Sequence, residues 1–355
     1  MILVINPGSS SLKYSLFDQN LEVISSGRFS GIGEKIRNHD QAMNLLLPEI
    51  KNKIPEITKV GYRVVHGGDQ GKDMMPITLP TIQIIRKFAE LAPHHNPQAE
   101  KVIRFLLDKI PFAQHFAFFD SAFFSNLPER AKIYPIGKKI AAEFGIKRFG
   151  FHGISHGWIL DQVDPIRNKK LISVHLGAGC SLAAIDCGRP IDTSMGFTTL
   201  EGLPMQTRSG DIDPGVILYL VEKIGSKKTR DLIENNSGLA GLSETSGAML
   251  TLLSLANEKI EDLNFKIAND RSAKNANPDD AKLAIEIFCY RISKYIGAYA
   301  AALGGVDTVA FSGEIGFGSA VIRRKICKNL DFLNFKIAVV KPDEELAIAR
   351  KLTQI

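Results

Sequence analysis

Arg63 and Arg208 in this chain of 355 residues each have a glycine two residues away, where a guanidinium group could reach an anion. Arg63 belongs to the segment GYRVVHGGD, and Arg208 belongs to MQTRSGDIDP. Arginine presents a planar fork that binds carboxylate or phosphate oxygens through two bonds. A surface or salt-bridged arginine is the ordinary alternative at each position, and the neighbouring glycines weigh against it. We interpret both residues as candidate anion ligands.

The first twenty residues predict a hairpin whose turn suits phosphate oxygens. Residues 2–5 form an apolar run, residues 6–11 (NPGSSS) a polar turn, and residues 12–17 a second apolar run. This order is typical of a β-hairpin. Gly8 lets the backbone approach a ligand, and the serine hydroxyls with Lys13 can bind oxygens. An ordinary hairpin with a polar tip is an equally open interpretation.

Histidines and acids supply a second group of candidates. His152 and His156 in FGFHGISH have a spacing that could hold zinc, but Gly153 intervenes and no third ligand is evident nearby. We favour a His152 that donates to a phosphoryl oxygen, and a structural His156. Asp120 follows an apolar strand, at the end where α/β proteins collect ligands. A helix N-cap is its ordinary alternative.

Further polar residues have stronger ordinary alternatives. His94 and His95 lie in a turn that follows a predicted helix, where a solvated turn is the simple interpretation. Glu344 and Glu345 open the last predicted helix, where acidic residues are normal partners of the helix dipole.

The elements that must position these residues alternate between strands and helices, which indicates an α/β protein. Residues 171–186 (LISVHLGAGCSLAAID) repeat the apolar run, glycine-rich turn and second run of the N-terminus, which indicates an internal duplication. Further strands are predicted at 59–66, 113–119, 308–311 and 337–340. Helices are predicted at 80–91, 98–109, 214–223, 278–303 and 344–351, the 278–303 helix beginning with proline.

Length and composition narrow the functional class. The length favours two domains. The net charge of +6 comes from dispersed basic residues, which favours a small anionic ligand over nucleic acid. We expect no signal peptide and no apolar run that spans a bilayer. The four cysteines lack a CxxC spacing and fit reduced thiols, so we expect a cytoplasmic protein. We also expect no membrane or nucleic-acid partners.

Seven segments in this order resemble the acetate kinase family of acetate and propionate kinases, within the acetokinase, hsp70, actin and sugar kinase superfamily. They are NPGSSSLKY, HNP, FDSAF, FGFHGISH, DTSMGFTTLEGL, TRSGDIDP and DEELAIAR, and the resemblance spans residues 1–355. It implies an α/β fold of duplicated ribonuclease-H-like (actin-like ATPase) domains with an interdomain active-site cleft. The implied domains are 1–122 plus 344–355, and 123–343.

The resemblance also implies a reaction and a set of roles. The reaction is a reversible, direct in-line transfer of a phosphoryl group from ATP to acetate or a similar short carboxylate, giving acetyl phosphate and ADP. The implied ion is Mg²⁺, with Mn²⁺ as an alternative, and the implied assembly is a homodimer. The implied catalytic residues are Arg63, Asp120, His152 and Arg208. The implied acid-binding residues are Arg63, Val65, His94, His95, Phe151 and Thr199. The implied donor-binding residues are Ser11, Lys13, His175, Gly177, Ala178, Gly179, Gly313, Glu314 and Gly316, and the metal residues are Asn6 and Glu344.

Some positions depart from the family pattern. Ala178 stands where the family has asparagine, and Glu314 stands where it has the glycine that makes room for the nucleoside. His94 and Thr199 replace a leucine and a proline of the acid pocket. These departures keep three alternatives open: pyrophosphate or another donor without adenosine, propionate or another short acid, and a non-catalytic ligand-binding relative. We expect weak ATP binding. The open alternative is that Glu314 turns outward and the local loop rebuilds a nucleotide site.

Overall fold

The computed structural model describes residues 1–9, 11–33, 35–258 and 270–355, and their strands form two sheets. The strands are β1 Ile2–Pro7, β2 Ser11–Phe17, β3 Val23–Ser30, β4 Lys59–Val64, β5 Met75–Pro76, β6 Gln114–Phe119, β7 Lys170–Leu176, β8 Cys180–Asp186, β9 Arg189–Thr193, β10 Thr308–Ser312 and β11 Lys336–Val339.

The α-helices vary from one turn to seven turns. They are α1 His39–Ile50, α2 Leu79–Lys87, α3 Asn96–Lys109, α4 Glu129–Lys132, α5 Lys138–Glu143, α6 Gly153–Val163, α7 Pro214–Ile224, α8 Ser226–Asn235, α9 Gly238–Ser243, α10 Met249–Leu255, α11 Pro278–Leu303, α12 Gly313–Gly318, α13 Ala320–Cys327 and α14 Glu344–Leu352.

The two sheets share one topology. The first has the order β3-β2-β1-β4-β6-β5, and the second has the order β9-β8-β7-β10-β11. In each, three antiparallel strands share their last strand with a parallel set of three: β1, β4 and β6 in the first sheet, and β7, β10 and β11 in the second. The first sheet has one more strand, β5, antiparallel to β6. The duplication predicted from the two apolar hairpins therefore extends to the whole order of the strands.

The chain divides into two compact units. The first comprises Met1–Ser125, Phe149–Trp158 and Asp343–Ile355, and the second comprises Asn126–Arg148 and Ile159–Pro342. The domain limits given above, 1–122 plus 344–355 and 123–343, stay a prediction. The compact units differ from them chiefly at residues 149–158, which pack with the first unit.

Burial explains the central strands of the first unit. All six residues of β1 are buried, as a strand covered on both faces requires. Helix α14 packs against β1, β2 and β4. Gly61 on β4 permits this approach, because a Cβ atom there would lie 2.6 Å from Cγ2 of Ile348. Helix α14 is thereby held close to the strands whose ends carry the candidate residues.

Local signals set several boundaries. Helix α11 begins where the side chain of Asn277 accepts a bond from the Asp279 backbone N–H, with Pro278 in its first turn, and ends at Gly304 with φ +65°. Strand β4 ends at Val64, two residues before the predicted end. The chain turns there, and Gly68 adopts φ +56° against the ring of Phe88. Strands β3, β5 and β9 were not predicted.

Within the described residues, no helix combines the length and the apolar character that crossing a membrane requires.

Candidate active site

Three polar residues of the first unit lie at the same end of neighbouring parallel strands. Asn6 lies near the end of β1, Arg63 near the end of β4, and Asp120 directly after β6. The register pairs Ile5 with Tyr62, so Asn6 and Arg63 follow side by side. Because the carboxyl ends of parallel strands meet at one edge, the sheet itself brings these side chains together.

Arg63 connects this set. Its Nε and Nη2 donate to the same oxygen of Asp120, Oδ2, at 3.0 and 2.7 Å, and its Nη1 donates to Oδ1 of Asn6 at 3.2 Å. Asn6 in turn donates through Nδ2 to Oε1 of Glu345 at 2.8 Å. Among the described residues, these bonds use three of the five N–H groups of Arg63, so two can serve an anionic ligand.

The charge of this set is negative. Asp120 is 1% exposed and Glu344 is 8% exposed. Burial raises the pKa of Asp120, and Glu344 raises it further, against the lowering effect of Arg63. The pKa of Arg63 is itself raised, because Asp120, Glu344 and Glu345 outweigh its burial. Three carboxylates lie near one guanidinium here, but within the described residues no three His, Cys, Asp or Glu side chains are grouped so that they could hold a metal ion by themselves. Mg²⁺ commonly uses only one or two carboxylates and completes its shell with water and phosphate.

His152 directly precedes α6, whose first residues lie against Asp120. Its backbone has φ +56°, in the left-handed region that is uncommon for residues other than glycine and frequent at functional sites. The next residue, Gly153, lies so close to Asp120 that a Cβ atom would be 2.0 Å from its carbonyl oxygen. The backbone N–H of Ile154 donates to Oδ1 of Asp120 at 3.4 Å. Asp120 therefore faces both Arg63 and a helix N-terminus.

Phe151, which is predicted for the acid pocket, contacts the buried imidazole of His66. Val65 is 6% exposed and Phe151 is fully buried. The ring of His66, the residue after Val65, contacts the ring of Phe151 edge-on, with centroids 5.0 Å apart. Asn96 donates to the carbonyl of His66 at 2.8 Å and accepts from its backbone N–H at 3.1 Å. These bonds tie the end of β4 to the turn before α3.

That turn carries His94 and His95. His94 is exposed, while His95 is half-buried and directly precedes α3. Thr199, the remaining residue of the predicted pocket, belongs to the second unit.

The predicted phosphate-facing turn connects β1 to β2. The backbone N–H of Gly8 donates to the carbonyl of Ser11 at 2.7 Å, which closes the turn. Nε2 of His39 lies 2.8 Å from the carbonyl oxygen of Gly8 and holds the turn from α1. Lys13 pairs with Asn6 in the register, so the lysine lies beside the carboxylate set in the sheet. Ser10 lies outside the described residues.

The donor residues predicted in the second unit lie in two adjoining segments. His175 to Gly179 form the end and turn of the β7–β8 hairpin, closed by a bond from Gly177 N–H to the Gly179 carbonyl at 3.0 Å. Gly313 has φ +79°, and a Cβ atom there would lie 2.4 Å from the carbonyl oxygen of Leu176. The backbone angle and the close carbonyl of Leu176 therefore require glycine at position 313. Glu314 is exposed in the first turn of α12.

Arg208 joins this group through its loop. The backbone N–H of Gln206 donates to the carbonyl of Ala178 at 3.1 Å. Arg208 donates through Nη1 to the Thr199 carbonyl at 3.3 Å and to Sδ of Met205 at 3.5 Å. Burial lowers the pKa of Arg208, although Cys180 and Glu234 oppose this effect. Among the described residues, both bonds come from Nη1, so Nε and Nη2 can bind an anion that would relieve the buried charge.

The structure brings Asn6, Arg63 and Asp120 together in the first unit, and it bonds the loop of Arg208 to the turn of Ala178 in the second unit. The roles of the predicted site residues stay a prediction. Sequence reasoning missed the part of Glu345, which had a simple explanation as a partner of the helix dipole. It also missed Asn96 as the link between β4 and α3. The HNP segment pointed to Asn96 only as part of the family resemblance.

Comparisons with known proteins identify the family. A family model described as the acetokinase family matches residues 1–349. The chain belongs to the acetokinase family. An acetate kinase of Carboxydothermus hydrogenoformans is 35% identical over 100% of this chain and 98% of its own length. An acetate kinase of Thermoanaerobacterium thermosaccharolyticum is 38% identical over 95% of this chain and 88% of its own length.

Solved structures give the same result. The acetate kinase of Porphyromonas gingivalis superposes with a TM-score of 0.86 at 29% identity, covering 100% of this chain and 99% of that one. A propionate kinase from Francisella tularensis superposes with a TM-score of 0.87 at 30% identity, covering 99% and 98%. The predictions of an α/β, actin-like ATPase fold, of this family and of a kinase are confirmed.

Proposed function

We propose that this protein catalyses the reversible transfer of a phosphoryl group from ATP to acetate or a similar short carboxylate, giving acetyl phosphate and ADP. The observation that carries this proposal is Arg63, bonded to Asp120 and Asn6 at the strand ends, in a chain of the acetokinase family. A carboxylate acceptor is already an anion and needs no strong base. Catalysis then consists of positioning and of neutralising charge.

Each residue set has a distinct task in this proposal. Arg63 binds the carboxylate of the acid with its two remaining N–H groups, while Asp120 holds the guanidinium in place. Val65 and Phe151 exclude water from the acyl group. Arg208 binds the phosphoryl oxygens, and His152 donates to them.

Mg²⁺, held by Asp120 and Glu344 with Asn6 nearby, would supply a Lewis acid that neutralises phosphate charge. The donor nucleotide is assigned to the β7–β8 turn and α12. Gly177 and Gly179 leave the β7–β8 turn without side chains at these positions, which supports a polyphosphate ligand there.

We assign this protein to the cytoplasm as a homodimer. Its four cysteines are free thiols, as a reducing compartment favours. Helix α7 is strongly apolar but none of its residues is buried, and Leu218 and Tyr219 are 65% and 60% exposed. Exposed apolar surface of this kind marks interaction sites. A second copy of the chain is the proposed occupant.

An acyl phosphate assay with hydroxylamine trapping tests the function. Acetate and propionate are each offered with ATP, GTP or pyrophosphate in the presence of Mg²⁺. The proposal expects trapped acetyl phosphate with ATP. If product forms only with pyrophosphate, the donor is pyrophosphate and not ATP. If product forms only with propionate, the acid is propionate and not acetate. No product with any combination, from a folded protein, would favour a non-catalytic relative.

A further inference from the structure

A partly buried ion pair of the second unit, Arg148 with Glu201, holds the loop that carries Arg208. We call residues 194–210 the arginine loop. The guanidinium of Arg148 donates through Nη1 to the carbonyls of Thr193 and Met195 at 2.9 and 3.3 Å, and through Nη2 to Oε1 of Glu201 at 2.6 Å. Its Nε donates to the carbonyl of Ala131 at 3.1 Å. One side chain thus connects the 126–148 segment to both ends of residues 193–201.

Tyr134 completes the cluster. Its hydroxyl donates to the other carboxylate oxygen of Glu201, Oε2, and accepts a bond from the backbone N–H of Phe197 at 2.9 Å. Arg148 lies over the Tyr134 ring, 5.4 Å from its centroid. Gly196 leaves room for this arrangement, because a Cβ atom there would lie 1.6 Å from Oε2 of Glu201. Both carboxylate oxygens of Glu201 are therefore bonded.

The far end of the arginine loop is held separately. The backbone N–H of Gly202 donates to Oδ1 of Asp211 at 2.8 Å, and the backbone N–H of Asp211 donates to the Gly202 carbonyl at 2.8 Å. The hydroxyl of Tyr295 donates to Oδ2 of Asp211 at 2.5 Å. Between these two anchors, Arg208 bonds directly to the Thr199 carbonyl.

We propose that Glu201, Arg148 and Tyr134 are positioning residues that set the place of the Arg208 guanidinium by fixing the arginine loop. This inference rests on the proposed function, in which Arg208 binds the phosphoryl group during transfer. Arg208 has no carboxylate bonded to it within the described residues, so its position depends on the backbone of its loop. A displacement of about 1 Å in a group that acts on the reacting atoms can cost about 10²-fold in rate.

The test compares Glu201→Gln and Tyr134→Phe with a matched control, Glu258→Gln. Glu258 also pairs with a cation, Lys325, and its side chain is 27% exposed against 29% for Glu201. We expect Glu201→Gln to lower kcat by about 10- to 100-fold, with the KM for acetate changed by less than about 3-fold. Tyr134→Phe should cause a smaller loss in the same direction. Glu258→Gln should leave both constants unchanged.

Hydrogen exchange supplies a readout that does not depend on turnover. Both cluster variants should exchange faster in peptides from residues 194–210, with the rest of the second unit unchanged. A purely structural role would spread the faster exchange over the unit and alter KM with kcat. If Glu201→Gln does not fold, Tyr134→Phe, which removes one hydroxyl, carries the test.

The outcomes separate this inference from the proposed function. Unchanged kcat or unchanged exchange of the arginine loop in both variants overturns the positioning role. If the unmodified protein forms no acyl phosphate, the proposed function fails, while local exchange still decides whether the cluster fixes the loop.

Discussion

The two partners of the Arg63–Asp120 pair should differ when replaced. Loss of Arg63 should destabilise the protein, and loss of the Asp120 charge should not. Breaking a buried ion pair usually costs about 3–5 kcal/mol, because one charge is left without compensation. In Asp120→Asn, however, the remaining guanidinium still has Glu344 and Glu345 near it. In Arg63→Met, the carboxylates of Asp120 and Glu344, 1% and 8% exposed, lose the cation that compensates them.

The direction of the pKa shift sets the sign for Asp120→Asn. The pKa of Asp120 is raised in the folded protein, first by burial. A raised carboxyl pKa contributes stability that is complete below the unfolded value of about 3.9 and is lost as the pH rises through the folded pKa. Where the folded carboxyl group is ionised it therefore reduces stability, and asparagine removes this cost. The difference in stability between Asp120→Asn and the unmodified protein should shrink as the pH falls toward 4.5.

These terms give thermal shifts that differential scanning fluorimetry can measure. For a unit of this size, 1 kcal/mol corresponds to roughly 2–4 °C in Tm. We expect Asp120→Asn to melt within about 3 °C of the unmodified protein, or above it, while kcat falls by about 10²-fold or more. Arg63→Met should melt at least about 6 °C lower. Added MgCl₂ should recover part of that loss, because the carboxylates regain a cation.

Asp164→Asn is the matched control for Asp120→Asn. Asp164 is also 1% exposed, but its oxygens accept from the backbone N–H groups of Asn168 and Lys169 at 3.1 and 3.0 Å. It should lose about 1–2 kcal/mol of stability and keep its activity. If Asp120→Asn lowers Tm more than Arg63→Met does, the electrostatic reasoning is wrong.

Four further substitutions test the site and the assembly. Arg208→Ala should reduce acyl phosphate formation by about 10³-fold or more without altering the circular dichroism spectrum, because it removes the proposed phosphoryl ligand. His94→Leu should restrict the acids accepted in the hydroxamate assay to apolar ones. An apolar pocket discriminates between acids by only about 1–3 kcal/mol per methylene, and the polar side chain of His94 weakens this discrimination. Glu314→Gly should lower the KM for ATP from a value above about 1 mM, with the acid KM unchanged, because a carboxylate near the polyphosphate is removed. Leu218→Glu should convert a dimer to a monomer in light scattering, because it places a charge in the apolar face of α7.

Each of these has a contrary outcome. Arg167 pairs with Asp161 at the surface, so Arg167→Ala should leave turnover unchanged, and an equal loss in both arginine variants would refute the role of Arg208. An unchanged acid profile in His94→Leu removes that residue from the pocket. Micromolar ATP affinity of the unmodified protein in isothermal titration contradicts the expectation for Glu314. A dimer that persists in Leu218→Glu places the interface elsewhere.

Local sequence signals accounted for much of the fold. The two apolar hairpins, the strand that delivers Asp120 and the limits of α11 follow from apolar runs, glycine turns and helix caps, which depend on residues close in sequence. Where the prediction failed, as at the end of β4, a buried turn against Phe88 ended the strand earlier than its apolar run indicated. Strands β3 and β9 carry polar residues, so they show no strong periodicity.

The sequence also indicated part of the candidate site, and the tertiary structure decided the rest. The sequence by itself indicated the candidates Arg63, Asp120 and Arg208, because residue type and neighbouring glycines suggest chemistry without a structure. Only the tertiary structure decided their partners: Asn6 bonds to Glu345 across 339 residues, and Arg63 bonds to Asp120 across 57. These contacts depend on which strands become neighbours in the sheet and where α14 packs on it. That order is a property of the whole chain, and no local pattern encodes it.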